Sequence, residues 1–268
     1  MQKPILKTDL VFVTPEMARK WLEKNVNNRN IRRHYVAKLR NDLRNNRFMT
    51  THEGIAFNCN GELKDGQHRL TAIAEEGIGA WLMVTSGLPN DAVPVINRGS
   101  IRTITDNGNM SGFSMSKQMV AMAYIAMEAP AGIAHSKSTS EYDVIDFIKR
   151  NQEAFEAIPH VTKKNIGRAA NMAAFLRAYP HCPLTAWNRC LQLFLNGIDD
   201  DFHPVKERAI VVFRDYCLTN KANGYSASID MYRRCQRAIK AFMNAEELKI
   251  VKPCEQDLFP LVEGILFK

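Results

Sequence analysis

The chain has 268 residues, of which 46% are hydrophobic, and it can bury a substantial core in one large domain or two small ones. Lys and Arg (36) outnumber Asp and Glu (28), and the net charge of +8 favours anionic partners such as nucleotides or nucleic acid. The six cysteines form no CxxC pair, which argues against zinc-ribbon and thioredoxin-type sites. The longest apolar stretch, residues 119–127, is too short to cross a bilayer and no secretory signal is recognisable, so we expect a cytoplasmic protein without membrane contact.

Helix and strand signals are mixed in the first hundred residues. Thr14-Pro15 predicts the start of a helix that extends to about residue 24, because Thr is a good N-cap and Pro suits the first helical position. A second helix is expected over residues 33–45, where apolar residues recur at spacings of three and four. Asn60-Gly61 favours a type I′ turn, and the apolar residues on each side of it predict a small β-hairpin.

The hairpin leads directly into the dipeptide Asp65-Gly66. From Gln67 the sequence predicts a helix, which Gly77 is placed to end in the left-handed conformation. Residues 80–85 form a further apolar strand candidate, and residues 91–96 a candidate short helix. The predicted order around Gly66 is therefore strand, glycine turn, helix.

Almost only helices are predicted after residue 109, and this change divides the chain into two domains, residues 1–109 and 110–268. Apolar residues at helical spacing predict the helices of the second domain. They cover approximately residues 115–127, 139–158, 164–179, 184–195, 204–217 and 228–245. The expected fold class is an α/β (α+β) domain followed by an all-helical domain.

A glycine turn directly before a helix is suited to binding an anion. Gly66 would let the backbone approach a ligand closely, and the N–H groups of the first helical turn have no partners within the helix. His68 and Arg69 add side-chain donors for phosphate oxygens. The alternative is a purely structural turn in which Arg69 pairs with a carboxylate, and the residues alone leave both interpretations open.

The run GELKDGQHRL, residues 61–70, resembles the signature of the ParB/sulfiredoxin-like superfamily, with the greatest overall likeness to ParB-like proteins of phages and plasmids. ParB-type CTP-binding domains have an Asn-Pro-Arg-like segment, a helix, a hydrophobic strand and a Gly-Glu-Arg-Arg turn in that order. Here Asn28-Arg29, the second helix, a strand at Ile55 and the turn at Asp65 to Arg69 follow the same order. The corresponding turn is Asp-Gly-His-His-Arg in the superfamily's free-serine kinases and Asp-Gly-Gln-Gln-Arg in certain restriction-associated NTPases. The resemblance covers roughly residues 10–106.

The resemblance implies a site for a nucleoside di- or triphosphate together with Mg²⁺. By matching the motifs, it assigns contacts with the phosphates to residues of the turn, to one preceding arginine and to a loosened downstream Glu-Asn-x-x-Arg motif. These residues are Gly66, Gln67, His68, Arg69, Arg29, Asn97 and Arg102. Gln67 stands where sulfiredoxins carry their catalytic cysteine, so the resemblance does not imply reduction of sulfinic acids.

His52-Glu53 precedes the first hairpin strand, where the serine kinases and ParB domains present residues toward the nucleotide. A carboxylate there would serve as a general base or as a magnesium ligand, and the alternative is a solvated loop pair. With Asp65, these residues form the candidate catalytic set, and Glu53 is also the candidate metal ligand. The implied function is an NTP hydrolase or phosphotransferase in a DNA-related phage or plasmid process, in the host cytoplasm if the chain is phage-encoded. The alternative is a non-catalytic nucleic-acid- or protein-binding module with a switch-like or degenerate nucleotide pocket, and the sequence leaves open whether the protein is an enzyme.

Basic residues are concentrated between residues 28 and 47, where seven Lys and Arg residues accompany a single Asp. This gives the second helix a basic face, which is either a contact for a nucleic-acid backbone or an ordinary solvated surface. A second basic face is predicted on the last long helix. The candidate DNA contacts are Arg33, Arg40, Arg44, Arg233 and Arg237. We expect any homo-oligomer or protein partner to bind through the helical domain.

Overall fold

The computed structural model describes residues 5–26, 28–90, 92, 96, 103–110, 112–128, 139–163 and 165–261. The chain divides into two compact units, one of residues 1–101 with 137–140 and one of residues 102–136 with 141–268. The domain boundary predicted at residue 109 lies eight residues after the observed end of the first unit at residue 101. The short helix at residues 104–110 therefore belongs to the second unit. Among the described residues, no helix combines the length and the apolar character needed to span a bilayer.

The first unit has a four-stranded mixed sheet and three helices. Its elements are β1 (Lys7–Val13), α1 (Pro15–Leu22), α2 (Arg33–Arg44), β2 (Ile55–Asn58), β3 (Leu63–Asp65), α3 (Gln67–Glu76) and β4 (Ala80–Leu88). The strand order is β1-β4-β2-β3, in which β1 is antiparallel to β4, β4 is parallel to β2, and β2 is antiparallel to β3. The chain is therefore a mixed α/β protein, as expected from the sequence.

Local signals explain most of these elements. The Thr14 hydroxyl accepts a hydrogen bond from the Met17 N–H (3.3 Å), which confirms the predicted helix start at Pro15. Gly77 (φ +77°) adopts the left-handed conformation expected at the end of α3. Gly61 is also left-handed (φ +76°), but Asn60 has no positive φ, so the type I′ turn predicted at Asn60-Gly61, which requires positive φ at both residues, is not formed. The helix predicted at residues 91–96 lies mostly outside the described residues.

Strand β1 was not predicted from the sequence. Five of its seven residues are exposed, and it includes the ion pair Lys7–Asp9 (3.2 Å), so the strand lacks a clear alternation of apolar and polar residues. Its conformation depends on pairing with β4, in a register that runs from Lys7–Ser86 to Val13–Ala80. The paired residues of β1 and β4 are more than sixty positions apart in the sequence, and the three helices and the hairpin lie between them.

One core joins the sheet to α1, α2 and α3. Residues from alternate positions of β2 and β4 are buried in it, together with one face of α3. The most deeply buried members are Ile55, Leu63, Leu70, Ile73 and Leu82. This packing determines the direction in which α3 leaves the sheet, and hence where the N-terminus of α3 lies.

The second unit is helical in all the elements that the structure describes. These are α4 (Ile104–Met110), α5 (Lys117–Glu128), α6 (Glu141–Arg150), α7 (Gln152–Glu156), α8 (Ala169–Ala178), a 3₁₀ turn (Tyr179–His181), α9 (Leu184–Asn196), α10 (Arg208–Thr219) and α11 (Tyr225–Met243). Nine of the ten residues of α8 are buried, and this alanine-rich helix packs against α5 and α11. Its Arg177 is 1% exposed and pairs with Asp257, which attaches the segment after α11 to the helical core.

Three sequence predictions in this unit need correction. The helix expected over residues 139–158 is interrupted at Asn151, whose side-chain amide donates to the Phe147 carbonyl (2.8 Å) and precedes a separate helix α7. The helix expected from residue 164 begins at Ala169, because the Gly167 N–H closes a turn onto the Lys163 carbonyl (2.9 Å). Helix α4 was missed, and α10 begins at Arg208, four residues later than expected.

The connection between β3 and α3 generates a stability prediction. Gly66 has φ +93°, and a Cβ added there would lie 2.5 Å from Ile55 Cδ1 and 2.9 Å from the Gly54 carbonyl oxygen. Gly61 also has a positive φ, but a Cβ added there meets nothing within 4 Å. We expect Gly61→Ala to cost about 1–2 kcal/mol of unfolding free energy through its backbone conformation alone. Gly66→Ala should cost about 1–3 kcal/mol more, because the new methyl group overpacks the core.

The two variants are compared by urea unfolding, monitored through the fluorescence of Trp21 and Trp81 in the first unit. Gly61→Ala is the control for conformational strain without steric overlap. Equal losses of stability in the two variants would show that the close approach at Gly66 does not constrain the fold.

Candidate anion site at the start of helix α3

The turn at Gly66 presents free backbone donors. Gly66 adopts the left-handed conformation (φ +93°, ψ +7°) at the N-cap of α3, and its carbonyl accepts the Leu70 N–H (3.0 Å). The N–H groups of residues 67–69 precede the first intrahelical donor, so they have no acceptor within the helix. Together with the helix dipole, they favour a negative charge at this position.

Arg69 is held by the loop that precedes β2. Its Nη2 lies 2.6 Å from Glu53 Oε2, and its Nη1 donates to the Gly54 carbonyl (3.2 Å). The Glu53 side chain is 59% exposed and that of Arg69 is 21% exposed. Because the Glu53 side chain is mostly exposed, this pair resembles a surface ion pair more than a buried one, and surface pairs contribute about 0–1 kcal/mol.

His68 acts as a hydrogen-bond acceptor in the fold. Its Nε2 accepts the backbone N–H of Arg32 (2.9 Å), which requires a neutral ring with its proton on Nδ1. Burial lowers the pKa of His68, and the charges of Arg29 and Arg32 lower it further. The Nδ1–H group of the neutral ring is consequently a donor that an anion can use.

Gln67 has a different role from the phosphate contact expected of it. Its side chain is only 4% exposed. The amide Nε2 donates to the Arg29 carbonyl (2.7 Å), and Oε1 accepts from Asn25 Nδ2 (3.0 Å). Because both ends of the amide are engaged with the segment before α2, only the backbone N–H of Gln67 remains for an anion.

Two further arginines lie close to the turn. Arg29 and Arg32 are both exposed, and their charges reach the His68 ring. Among the described residues neither guanidinium forms an ion pair. With Arg69, they bring three positive charges to the N-terminus of α3, and sequence reasoning had identified only Arg29 and Arg69 among them.

Of the other predicted site residues, some lie near the turn and some lie outside the described residues. Asp65 ends β3, pairs with Ala56 across the sheet, and its carboxylate opposes the lowering of the His68 pKa. His52 is exposed and forms no hydrogen bond with a described residue, although it adjoins Glu53. Asn97 and Arg102 lie outside the described residues.

The described residues do not supply a preassembled magnesium site. In the parts of the chain that the structure covers, no group of three or more His, Cys, Asp or Glu side chains could hold a metal ion. The expected ligand Glu53 is bound to Arg69 (2.6 Å). Mg²⁺ commonly takes one or two carboxylates and completes its shell with waters and substrate phosphates.

Ion pairs within the protein occupy most of the predicted DNA contacts. Arg33 pairs with Glu75 (2.6 Å), and both Arg40 and Arg44 pair with Glu76 (2.9 Å each). These two carboxylates are at the C-terminal end of α3, and the adjacent arginines lower the pKa of Glu76. The basic face of α2 is therefore largely neutralised.

On α11 the two predicted contacts differ. Arg237 binds Glu246 (2.9 Å), whereas the Arg233 side chain forms no ion pair with a described residue. Sequence patterns along a single helix did not reveal these pairings, because the acidic partners belong to other segments of the chain.

A separate surface groove lies at the other end of β2. It has a volume of about 490 Å³ and includes the ends of β2 and β4. Its lining residues are Trp21, Lys24, Phe57, Asn58, Cys59, Gly61, Ser86 and Gly87. None of these belongs to the turn at Gly66, so the anion site is a surface site and not part of this groove.

The hydrogen bond from Arg32 predicts a pH dependence. Because the pKa of His68 is lowered on folding, its neutral form stabilises the folded state above the unfolded pKa, and this contribution is lost as the pH falls through the folded value. The difference in unfolding free energy between the wild type and His68→Gln should therefore shrink on going from about pH 8 to about pH 5. The charged groups facing the ring are Arg29, Arg32, Arg69 and Asp65.

The measurement is urea unfolding across this pH range, together with NMR titration of the His68 ring. A stability difference that grows as the pH falls, or a ring that titrates above the usual histidine range, would contradict the assigned hydrogen bond.

Comparison with models of known protein families, with curated proteins and with solved structures found no match to this chain. The functional argument therefore rests on the residues around the N-terminus of α3. Those residues combine a left-handed glycine, three backbone donors without an acceptor in the helix, a neutral histidine and three arginines, of which Arg29 and Arg32 are exposed.

Proposed function

We propose that the first unit binds a nucleoside di- or triphosphate, with a phosphate group at the N-terminus of α3. The observation that carries this proposal is the convergence of Arg29, Arg32 and Arg69 on a helix start whose N–H groups are free. Backbone N–H groups and guanidinium groups are the donors that proteins most often use for phosphate oxygens. An anion with several oxygens would suit donors that come from both the turn and the preceding segment.

The order of elements supports membership in the ParB/sulfiredoxin-like superfamily as part of this proposal. Helix α2, strand β2, the hairpin to β3 and the glycine turn into α3 follow the order of the ParB-type nucleotide-binding domain. The mixed sheet and the left-handed Gly66 agree with that likeness. The superfamily's association with phages and plasmids makes a DNA-related process the corresponding biological setting.

Binding would rearrange the contacts of Arg69. Its guanidinium can exchange Glu53 for a phosphate, which offers more negative charge and more acceptor atoms in bidentate geometry. This exchange would release the Glu53 carboxylate next to the bound phosphate. A released carboxylate is the group that an NTP hydrolase or phosphotransferase needs as a base.

In the enzymatic form of this proposal, Glu53 is the general base. It would accept a proton from water or from an acceptor hydroxyl. The oxygen of that water or hydroxyl would attack the terminal phosphorus, while the P–O bond to the leaving phosphate breaks. His52, next to Glu53 and exposed, is the second candidate for this role. Mg²⁺ bound to the nucleotide would neutralise charge on the phosphates, without a residue of this chain committed to it.

The non-catalytic alternative shares the phosphate site and differs only in turnover. A version based on nucleic-acid binding through α2 has less support, because Arg33, Arg40 and Arg44 are already paired with carboxylates of α3. A phosphate backbone would have to displace these pairs. The nucleotide proposal is favoured because Arg29 and Arg32 have no such partners among the described residues.

Calorimetric titration with ATP, ADP, CTP and GTP, with and without Mg²⁺, tests binding. Arg69→Ala should weaken binding about 10- to 100-fold, because it removes charge-assisted hydrogen bonds to phosphate. Arg19→Ala is the matched control, since Arg19 is an exposed arginine of the same unit whose nearest carboxylate is Glu16 (3.7 Å). Absence of binding by the wild type, or an equal loss in both variants, would rule out the site at α3.

Glu53→Gln separates the enzyme from the binding module. If Glu53 is the base, phosphate release should fall by about 100-fold or more, while nucleotide affinity is unchanged or higher because Arg69 loses its competing carboxylate. Glu16→Gln, which alters an exposed carboxylate on α1, controls for the loss of charge. Turnover that is unchanged in Glu53→Gln would remove Glu53 from the mechanism.

A further inference from the structure

The arginines of the candidate site depend on a segment without regular structure. Residues 25–26 and 28–32 connect α1 to α2 and belong to neither helix nor strand. Such a segment would sample many conformations if nothing held it, and each would place the two guanidinium groups differently. The positions of Arg29 and Arg32 therefore depend on the bonds that attach this segment to the rest of the unit.

Gln67 supplies the most enclosed of these bonds. Its amide is buried and joins two points of the segment, since it donates to the Arg29 carbonyl (2.7 Å) and accepts from Asn25 Nδ2 (3.0 Å). Asn28 continues the network, because its Nδ2 lies 2.6 Å from Asn25 Oδ1 and 2.6 Å from the Leu63 carbonyl oxygen. The network therefore connects the segment to both β3 and α3.

The next residue of α3 adds a second attachment. The His68 ring accepts the Arg32 N–H (2.9 Å), three residues after the carbonyl that Gln67 binds. Two consecutive residues of one helix turn thus hold the backbone at both arginines of the segment.

We propose that Gln67 is a positioning residue, whose side-chain amide holds Arg29 and Arg32 in place for the anion at the start of α3. This inference rests on the proposed function of that site. Glutamine suits the position because a carboxamide has both a donor and an acceptor, and the Arg29 carbonyl and the Asn25 amide supply a partner for each. A carboxylate could not donate to the Arg29 carbonyl, and a methionine would leave both partners without a hydrogen bond.

The test measures binding of inorganic tripolyphosphate by calorimetry to the full chain. Gln67→Met should weaken binding about tenfold, comparable to the loss of one charged contact. Asn58→Ala is the matched control, because Asn58 is also a buried amide of this unit (2% exposed) but bonds Glu62 and Asn90 at the far end of β2. Asn58→Ala should lose stability and keep its affinity for tripolyphosphate.

A mutant cycle distinguishes positioning from a general loss of stability. If Gln67 acts through the two arginines, adding Gln67→Met to the variant Arg29→Ala with Arg32→Ala should weaken binding no further. A further loss as large as that of Gln67→Met alone would show that Gln67 acts independently of the two arginines and would overturn the proposal. An equal loss of affinity in Gln67→Met and Asn58→Ala would assign Gln67 a structural role only.

Asn25→Ala provides a second variant in case Gln67→Met does not fold. Asn25 is half-buried and lies on the other side of the same hydrogen bond, so its removal should also weaken tripolyphosphate binding. Unchanged binding in Asn25→Ala and Gln67→Met, with the expected loss in Arg69→Ala, would overturn the positioning role and leave the phosphate site intact. No binding by the folded wild type would overturn the site itself.

Discussion

The left-handed backbone of Gly66 is the constraint on which the candidate site depends. The chain passes so close to Gly54 and Ile55 at this point that a side chain of any size would overlap them. This close passage sets the direction in which α3 leaves β3. Because α3 begins immediately after Gly66, the side chains of its first three residues reach two neighbouring segments: Gln67 and His68 bond the segment before α2, and Arg69 bonds the loop before β2.

Two groups of arginines in the first unit differ in their electrostatic surroundings. Those of α2 are paired with Glu75 and Glu76 and serve the packing of α2 on α3. Arg29 and Arg32 lie on an irregular segment, where their charges act on the neutral ring of His68. A net positive charge is therefore a poor guide to where an anion binds, since carboxylates within the unit already offset part of it.

The ion pair between Arg69 and Glu53 bears on both interpretations of the turn, the purely structural one and the phosphate-binding one. In the structure Arg69 is paired with a carboxylate, as the purely structural interpretation requires. In that pair the Glu53 side chain is 59% exposed and that of Arg69 is 21% exposed, and under the proposed function a phosphate takes the place of Glu53. The structural pair and the proposed phosphate site are thus compatible, and the difference between them is which anion Arg69 binds.

Local patterns in the sequence determined the elements around the site: the cap at Thr14, the turn at Gly61, the glycine at Gly66 and the start and end of α3. Each of these signals acts over four or five residues, so it is present in the chain itself. Only the tertiary structure decided that residues 7–13 form a strand, that Glu75 and Glu76 neutralise α2, and that the Gln67 side chain holds Asn25 and Arg29. Each of these depends on partners about thirty or more residues away, and nothing in the local pattern of either partner specifies which distant segment will meet it.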